Sequence, residues 1–474
     1  MVAACDVNIV VAQRLPLAEA SLRLLNLVTD DAFLADVFDR HRGRCFERDI
    51  SFPVFVRLMA DALLGHHASA LQAFRHAQQQ GSLETSVQAM YARLATLPCS
   101  VSTGFFAEAA ARLNTVGVPA TDILPGSLAE YQAVAVDGKK LKYVLKRLKP
   151  FRGLKGNVLG GKLLVAQHMA TGLALAVEAA VDGEAADTPL VPGVLGQLRA
   201  QTELGAYLFV ADRGFCDFNT LRLLSEGRDE FLVRLHAKCK FHLDPTMRAR
   251  KGRDDPGRPC RETWGWLGGP DNKHRVRVRM ITVERASGGP LILVTSLMDA
   301  DRFPAFDLLV LYRRRWGIET MFQQVVQTFD LRHLIGGTPE ATVFQAIFCL
   351  LLSNITLIVR GFVAKGAKRP PQTVSLHLLY RDIVEELTAW MKVIGPEATL
   401  AALRERPFST VEEFRAYLQR LLGTVWTDRL AKAKTTKRAP KKPPRAYLKG
   451  GHSSADRILR GVHEEIPIKP RKPT

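Results

Sequence analysis

This chain of 474 residues is expected to fold around an α/β core, and three observations predict it. From about residue 129 the pattern becomes a series of short apolar or alternating runs, YQAVAVDG, KLLVAQHMA, LALAVEAAV, AYLFVADRG and EFLVRLHA, which is the period-two signature of strands. Between them, 187–204 and 218–224 read as helices, so strands alternate with helices as in a mixed sheet covered by helices. A further strand pattern, LILVTSLMD, begins near 291 and leads into a long helix around residue 319.

The flanks differ. Residues 1–125 carry LAEASLRLLNLV, FPVFVRLMADALLG, ALQAFRHAQQ and TSVQAMYARLATL, each with three-to-four-residue apolar spacing, and predict a helical N-terminal domain. That domain is a candidate reader of DNA ends, with simple packing or dimerisation as the alternative. The core is expected at 126–236 and 291–372, interrupted at 237–290 by a β insertion whose CRETWGWLGG and HRVRVRMITVE alternate like surface strands. Amphipathic helices are expected over 373–428. The last stretch, 429–474, holds 14 Lys/Arg against 3 Asp/Glu and much proline, which predicts a basic tail disordered when free.

Lys and Arg number 66 against 47 Asp and Glu, a net charge of +19. That excess favours a polyanionic partner. A basic membrane-surface or ribonucleoprotein scaffold would account for the tail and leave the carboxylates described below unexplained. The start, MVAACDVNIVVAQR, has no basic segment before its apolar residues and does not read as a signal peptide. Seven scattered cysteines without a CxxC pair fit reduced thiols in a cytosol. The most apolar run, Val343–Val359, carries Gln345, Ser353 and Asn354 and is expected to be a buried helix, not a membrane span.

The chemistry concentrates in YRRRWGIETMFQQVV, Tyr312–Val326. On one helix, Tyr312, Arg315 and Glu319 at i, i+3 and i+7 fall within about 60° of one another. A guanidinium suits bidentate contact with phosphate, and a carboxylate suits a hard divalent cation. Asp137 and Asp212 each follow an apolar run, which puts them at the rim of a sheet, where ligands collect. Three such carboxylates suit a pair of Mg²⁺ ions, with Mn²⁺ able to substitute, for in-line attack on a phosphodiester. Taken singly, Asp137-Gly138 would be an ordinary turn signal.

In combination these motifs resemble the bacterial insertion-sequence DDE transposases of the insertion-sequence-four group, whose signature is Tyr-x2-Arg-x3-Glu-x6-Lys. Three of its four positions match, at Tyr312, Arg315 and Glu319; the two aspartates fall on Asp137 and Asp212, and the similarity covers roughly 130–365. The resemblance implies an RNase H-like core with a β insertion between Asp212 and Glu319, and Mg²⁺-dependent cleavage and strand transfer by Asp137, Asp212 and Glu319. It implies double-stranded DNA (element ends and target) as partner, a homodimer in a synaptic complex, and a cytoplasmic, nucleoid-associated setting in a bacterium. Tyr312 and Arg315 would contact phosphates. Arg213, beside the second aspartate, is a further phosphate candidate, and Trp316 a candidate for stacking on a base. The fourth signature position is Val326, which cannot contact a phosphate. Gln323 or Gln327 could take over, or the chain is a degenerate or co-opted copy that binds DNA without cutting it.

Other signals weigh less. Gly156–Lys162 has the glycine and lysine spacing of a phosphate-binding loop, but Leu163 stands where a hydroxyl is needed. A β-turn is expected there. His236, Cys239, His242 and Cys260 have no familiar zinc spacing. Trp264 and Trp266 are expected to pack in the insertion, and Asp187 to cap a helix.

Overall fold

In the computed structural model the described residues are 14–47, 49–64, 69–117, 124–142, 148–152, 154, 156–201, 205–254, 257–285, 289–329, 335–393, 408–432 and 452–462. Six helices come first: α1 (Pro16–Leu27), α2 (Asp31–His41), α3 (Phe52–Leu63), α4 (Ala70–Gln79), α5 (Val87–Thr96) and α6 (Cys99–Val116). Their starts follow local chemistry. The side chains of Asp30, Ser69 and Ser86 accept the N–H of Phe33, Gln72 and Ala89, and prolines open α1 and α3.

The strand patterns become β1 (Tyr131–Lys140), β2 (Asn157–Leu159), β3 (Lys162–His168), β4 (Ala174–Ala180), β5 (Ala206–Ala211) and β6 (Glu230–Arg234). Helices α7 (Val191–Arg199) and α8 (Phe218–Leu224) come between. Antiparallel β3 lies beside β1 and β4 beside β3, while β5 pairs parallel to β1 and β6 parallel to β5. The fold is therefore mixed α/β on a large mixed sheet.

The expected insertion yields β7 (Phe241–Leu243), β8 (Arg250–Arg253), β9 (Pro259–Leu267) and β10 (Val276–Val283). These strands are not a separate layer. They join the main sheet through β11 (Leu291–Thr295), giving the order β4-β3-β1-β5-β6-β11-β10-β9-β7 with β8 also on β9. Antiparallel β11 takes up the edge of β6 that would otherwise be unpaired. Beneath this extension a buried ion pair joins Arg279, 0% exposed, to Glu262. The same guanidinium donates to the Phe303 carbonyl at 2.7 Å, and the Trp264 indole N–H to the Met298 carbonyl at 2.9 Å. The extension thus braces the segment that enters the site helices. Trp264 is buried in this role, and Trp266 lies beside the guanidinium groups of Arg275 and Arg277.

Two helices follow, α9 (Ala305–Arg314) and α10 (Trp316–Thr328), then the long α11 (Pro339–Gly366), α12 (Leu376–Val393) and α13 (Val411–Leu422). By length and composition α11 could cross a membrane, but its most apolar window is wholly buried in the protein. It packs against α1, α5, α6, α12 and α13. The Asn354 side chain exchanges two hydrogen bonds with the backbone of Ala174 on the edge strand β4 (3.0 and 2.8 Å). Those bonds satisfy polar groups that the strand would otherwise bury unpaired.

The N-terminal helices share this core instead of forming one of their own. Phe55 meets Phe344 (ring centroids 4.8 Å) and Phe105 meets Phe348 (6.4 Å), so α3 and α6 bury their apolar faces on α11. The reason is area: short helices with broad apolar faces need a large partner surface. The basic tail also differs from expectation where it is described. Residues 452–454 form β12, parallel to β2, and 455–459 form the short helix α14. Arg457 ties that helix to Asp182 at 2.9 Å. Residues 433–451 and 463–474 of the tail lie outside the described residues.

Removing one partner of the Arg279–Glu262 pair leaves a buried charge. Glu262→Ala should therefore lower unfolding free energy by about 3–5 kcal/mol, read as an earlier midpoint in denaturant melts.

Candidate active site at the sheet rim

Asp137 sits within β1, and Asp212 directly follows β5. Register pairs Val136 with Ala211 in the parallel β1–β5 ladder, so the next residues, the two aspartates, leave neighbouring strands side by side. The Gly214 N–H donates to Asp212 at 2.7 Å, and this opens a tight turn over 213–215. The Gly138 N–H donates to Asp137 at 2.9 Å. Gly138 is not a turn residue here. It lies inside β1, where a Cβ would stand 1.8 Å from an Asp187 carboxylate oxygen. Asp187 approaches through the missing side chain and pairs with Lys162 at 2.8 Å. It makes no side-chain cap bond, so the expected helix-cap role is replaced by this ion pair. Gly156–Lys162 is strand and turn, and its lysine is committed to Asp187 and to the Ala185 carbonyl (2.7 Å).

Glu319 comes from α10, which packs against β1. Tyr312, Arg315 and Glu319 do not share one uninterrupted helix. Arg315 is the junction between α9 and α10, held by three-residue bonds from its own N–H to Tyr312 and from Ile318 N–H back to it. The junction residue keeps helical backbone angles (φ −50°, ψ −32°) and its side chain points inward. It is 6% exposed, with Nη2 at 3.2 Å from Glu319 Oε1 and Nη1 at 3.9 Å from Asp137 Oδ2. Tyr312 is also buried, and its ring lies 5.9 Å from the Arg315 guanidinium. Burial pushes its phenol above the usual range. Arg213 and Trp316 face solvent, Trp316 being 61% exposed.

Burial raises the Asp137 carboxyl to about 6; Arg315 and the Gly138 N–H oppose the rise, and the charges of Asp212 and Glu319 add to it. Asp137 therefore feels both other acids. The donor chemistry of this set, three carboxylates with no thiol or imidazole, fits a hard cation that keeps several waters. Among the described residues no three acids, histidines or cysteines stand close enough to surround one ion. Between Asp137 and Glu319 the positive group in this structure is Arg315.

Two neighbours escaped the sequence reading. Lys139 is two residues beyond Asp137, hence on the same face of β1, and its ammonium lies 5.4 Å from the Phe322 ring. That i+2 spacing could have revealed it. Arg234, at the end of β6, acts electrostatically on Tyr312, and only the strand order places it there. His236, Cys239, His242 and Cys260 are dispersed; Cys239 donates its thiol to the Cys216 carbonyl.

A carboxyl held above its unfolded value stabilises the folded state at low pH and loses that contribution as pH rises through about 6. Asp137→Asn in chelator should thus stabilise the protein at pH 7.5 by up to about 3 kcal/mol. The advantage should vanish toward pH 4, as thermal melts across that range would report.

Residues 129–355 match the family described as "Transposase DDE domain". A Sinorhizobium fredii protein named "Putative transposase y4zB" is 24% identical over 144 residues, 30% of this chain and 40% of its own length. The match thus spans less than half of that relative. Among solved structures, a piggyBac transposase synaptic complex with hairpin DNA aligns at 11% identity and a TM-score of 0.42, covering 90% of this chain and 88% of that one. The family and relative matches together support a DDE transposase, and the family match spans Asp137, Asp212 and Glu319.

Proposed function

We propose that the protein is an insertion-sequence transposase of the insertion-sequence-four group that cleaves DNA at element ends and joins them to target DNA. The parallel register that brings Asp137 and Asp212 out of neighbouring strands, with Glu319 linked to Asp137 through Arg315, carries this reading. The order of β4, β3, β1, β5 and β6, three antiparallel strands then two parallel ones, supports the RNase H-like core that the resemblance implies. Cleavage is hydrolysis: water forms a bond to phosphorus, the bond to the 3′-oxygen breaks, and the freed 3′-hydroxyl later attacks a second phosphodiester.

Asp137, Asp212 and Glu319 would hold Mg²⁺ or Mn²⁺. When bound, the metal lowers the pKa of the attacking hydroxyl and stabilises the departing oxygen. The protein's own groups do the rest. Asp137 and Asp212 each accept a backbone N–H, which restrains the two carboxylates. Arg315 balances Asp137 and Glu319 and, with Tyr312, would contact a phosphate that reaches the acids. Arg213 and Trp316, already exposed, would meet the flanking strand. Synapsis of two ends would use a homodimer, in a bacterial nucleoid. The domain reading stays functional in sense: N-terminal helices at 1–125 as a candidate end-binding module, the 237–290 extension as a brace of the site, and the 429–474 tail as a polyanion contact.

A second reading, a degenerate copy that binds DNA without cutting, is favoured by Val326 alone. Asp137→Ala, Asp212→Ala and Glu319→Ala should each remove Mg²⁺- or Mn²⁺-dependent nicking of DNA carrying the element ends, by at least about a thousandfold, and leave gel-shift affinity near wild type. Wild-type binding without nicking, where an active relative cuts the same format, would select the degenerate copy.

A further inference from the structure

A second feature adjoins the acids and is not used by that chemistry. Between the end of β1 and α10 lies a cavity of about 210 Å³, lined by Lys139, Lys140 and Lys142 on one side and by Gln323, Val326 and Gln327 on the other. No carboxylate among the described residues lines it. Among the described residues none of the three lysines has a carboxylate within ion-pair distance. Three ammonium groups on four consecutive residues repel one another; Asp137 and Glu319 offset Lys139 only from outside the cavity, while burial and Lys142 hold its ammonium below the usual range. Their field extends to His452 on β12, whose imidazole is held below the usual range by burial and then by Lys142 and Lys140.

We propose that this cavity is a subsite for a backbone phosphate of the DNA strand, with Lys139, Lys140 and Lys142 supplying the charge and Gln323 and Gln327 neutral donors. The inference rests on the transposase reading above. Lysine acts on a phosphate as a point charge and needs no fixed fork geometry. A strand whose reacting phosphate lies at Asp137 continues past Lys139, because both project from one face of β1. Val326 lines the same cavity, so the positive charge missing from α10 is supplied across it by β1.

The test is salt-dependent binding of a short mixed-sequence duplex, followed by fluorescence anisotropy. Each lost phosphate contact should make the slope of log K against log salt shallower by about 0.9. Lys139→Gln, Lys140→Gln and Lys142→Gln combined remove that one contact and should reduce it by about 0.9. Lys142→Gln alone, at an exposed position, should reduce it by a smaller part of that amount and serves if the triple variant does not fold. Adding Val326→Lys to the triple variant should recover about one unit of slope, since that ammonium enters the same cavity. An unchanged slope in the lysine variants, with wild type binding DNA, overturns the subsite and leaves the transposase reading standing. A reduced slope that Val326→Lys does not restore also overturns it, because the lysines would then act outside the cavity. A wild type that binds no duplex removes both.

Discussion

The contact on which the site depends is the buried Arg315 guanidinium between Glu319 and Asp137. Carboxylates from different elements held near one another repel unless a positive charge offsets them or one of them takes up a proton. In this structure the offset is internal. Arg315 joins α9 to α10 with helical backbone angles, and its side chain is buried there with Tyr312 instead of lying along an exposed stripe.

Everything else fixes where that arginine and its partners stand. The parallel register of β1 and β5 brings Asp137 and Asp212 to one rim. The sheet extension then positions the approach to α9 through Trp264 and Arg279. A segment that looks like an insertion in sequence is, mechanically, a strut. Behind the sheet, α11 joins the N-terminal helices to the edge strand, through its phenylalanines on one side and Asn354 on the other.

Much of this was legible in the sequence. Alternation marked β1, β3, β4, β5, β6 and β11, and the acids stood out because each ended an apolar run or shared spacing with Tyr312 and Arg315. What was hidden depends on pairing. Periodicity says which face of β9 and β10 is apolar, but not that these strands continue the main sheet. A helical wheel puts Arg315 near Glu319, but cannot show the guanidinium turned toward Asp137. Gly138 read as a turn signal because the requirement for it comes from Asp187, about fifty residues later in the chain. The tail read as unstructured by composition, since nothing local predicts that 452–459 would dock on β2. Lys139 was accessible, at i+2 from an acid on a recognised strand.

The most direct test of a metal site built from three carboxylates is Mn²⁺ binding followed by electron paramagnetic resonance, with a DNA duplex present. Wild type should bind Mn²⁺ in a form that Mg²⁺ displaces, and Glu319→Gln should weaken that binding by at least about tenfold. Mn²⁺ binding indifferent to Glu319, or absent while the duplex is bound, would contradict the account.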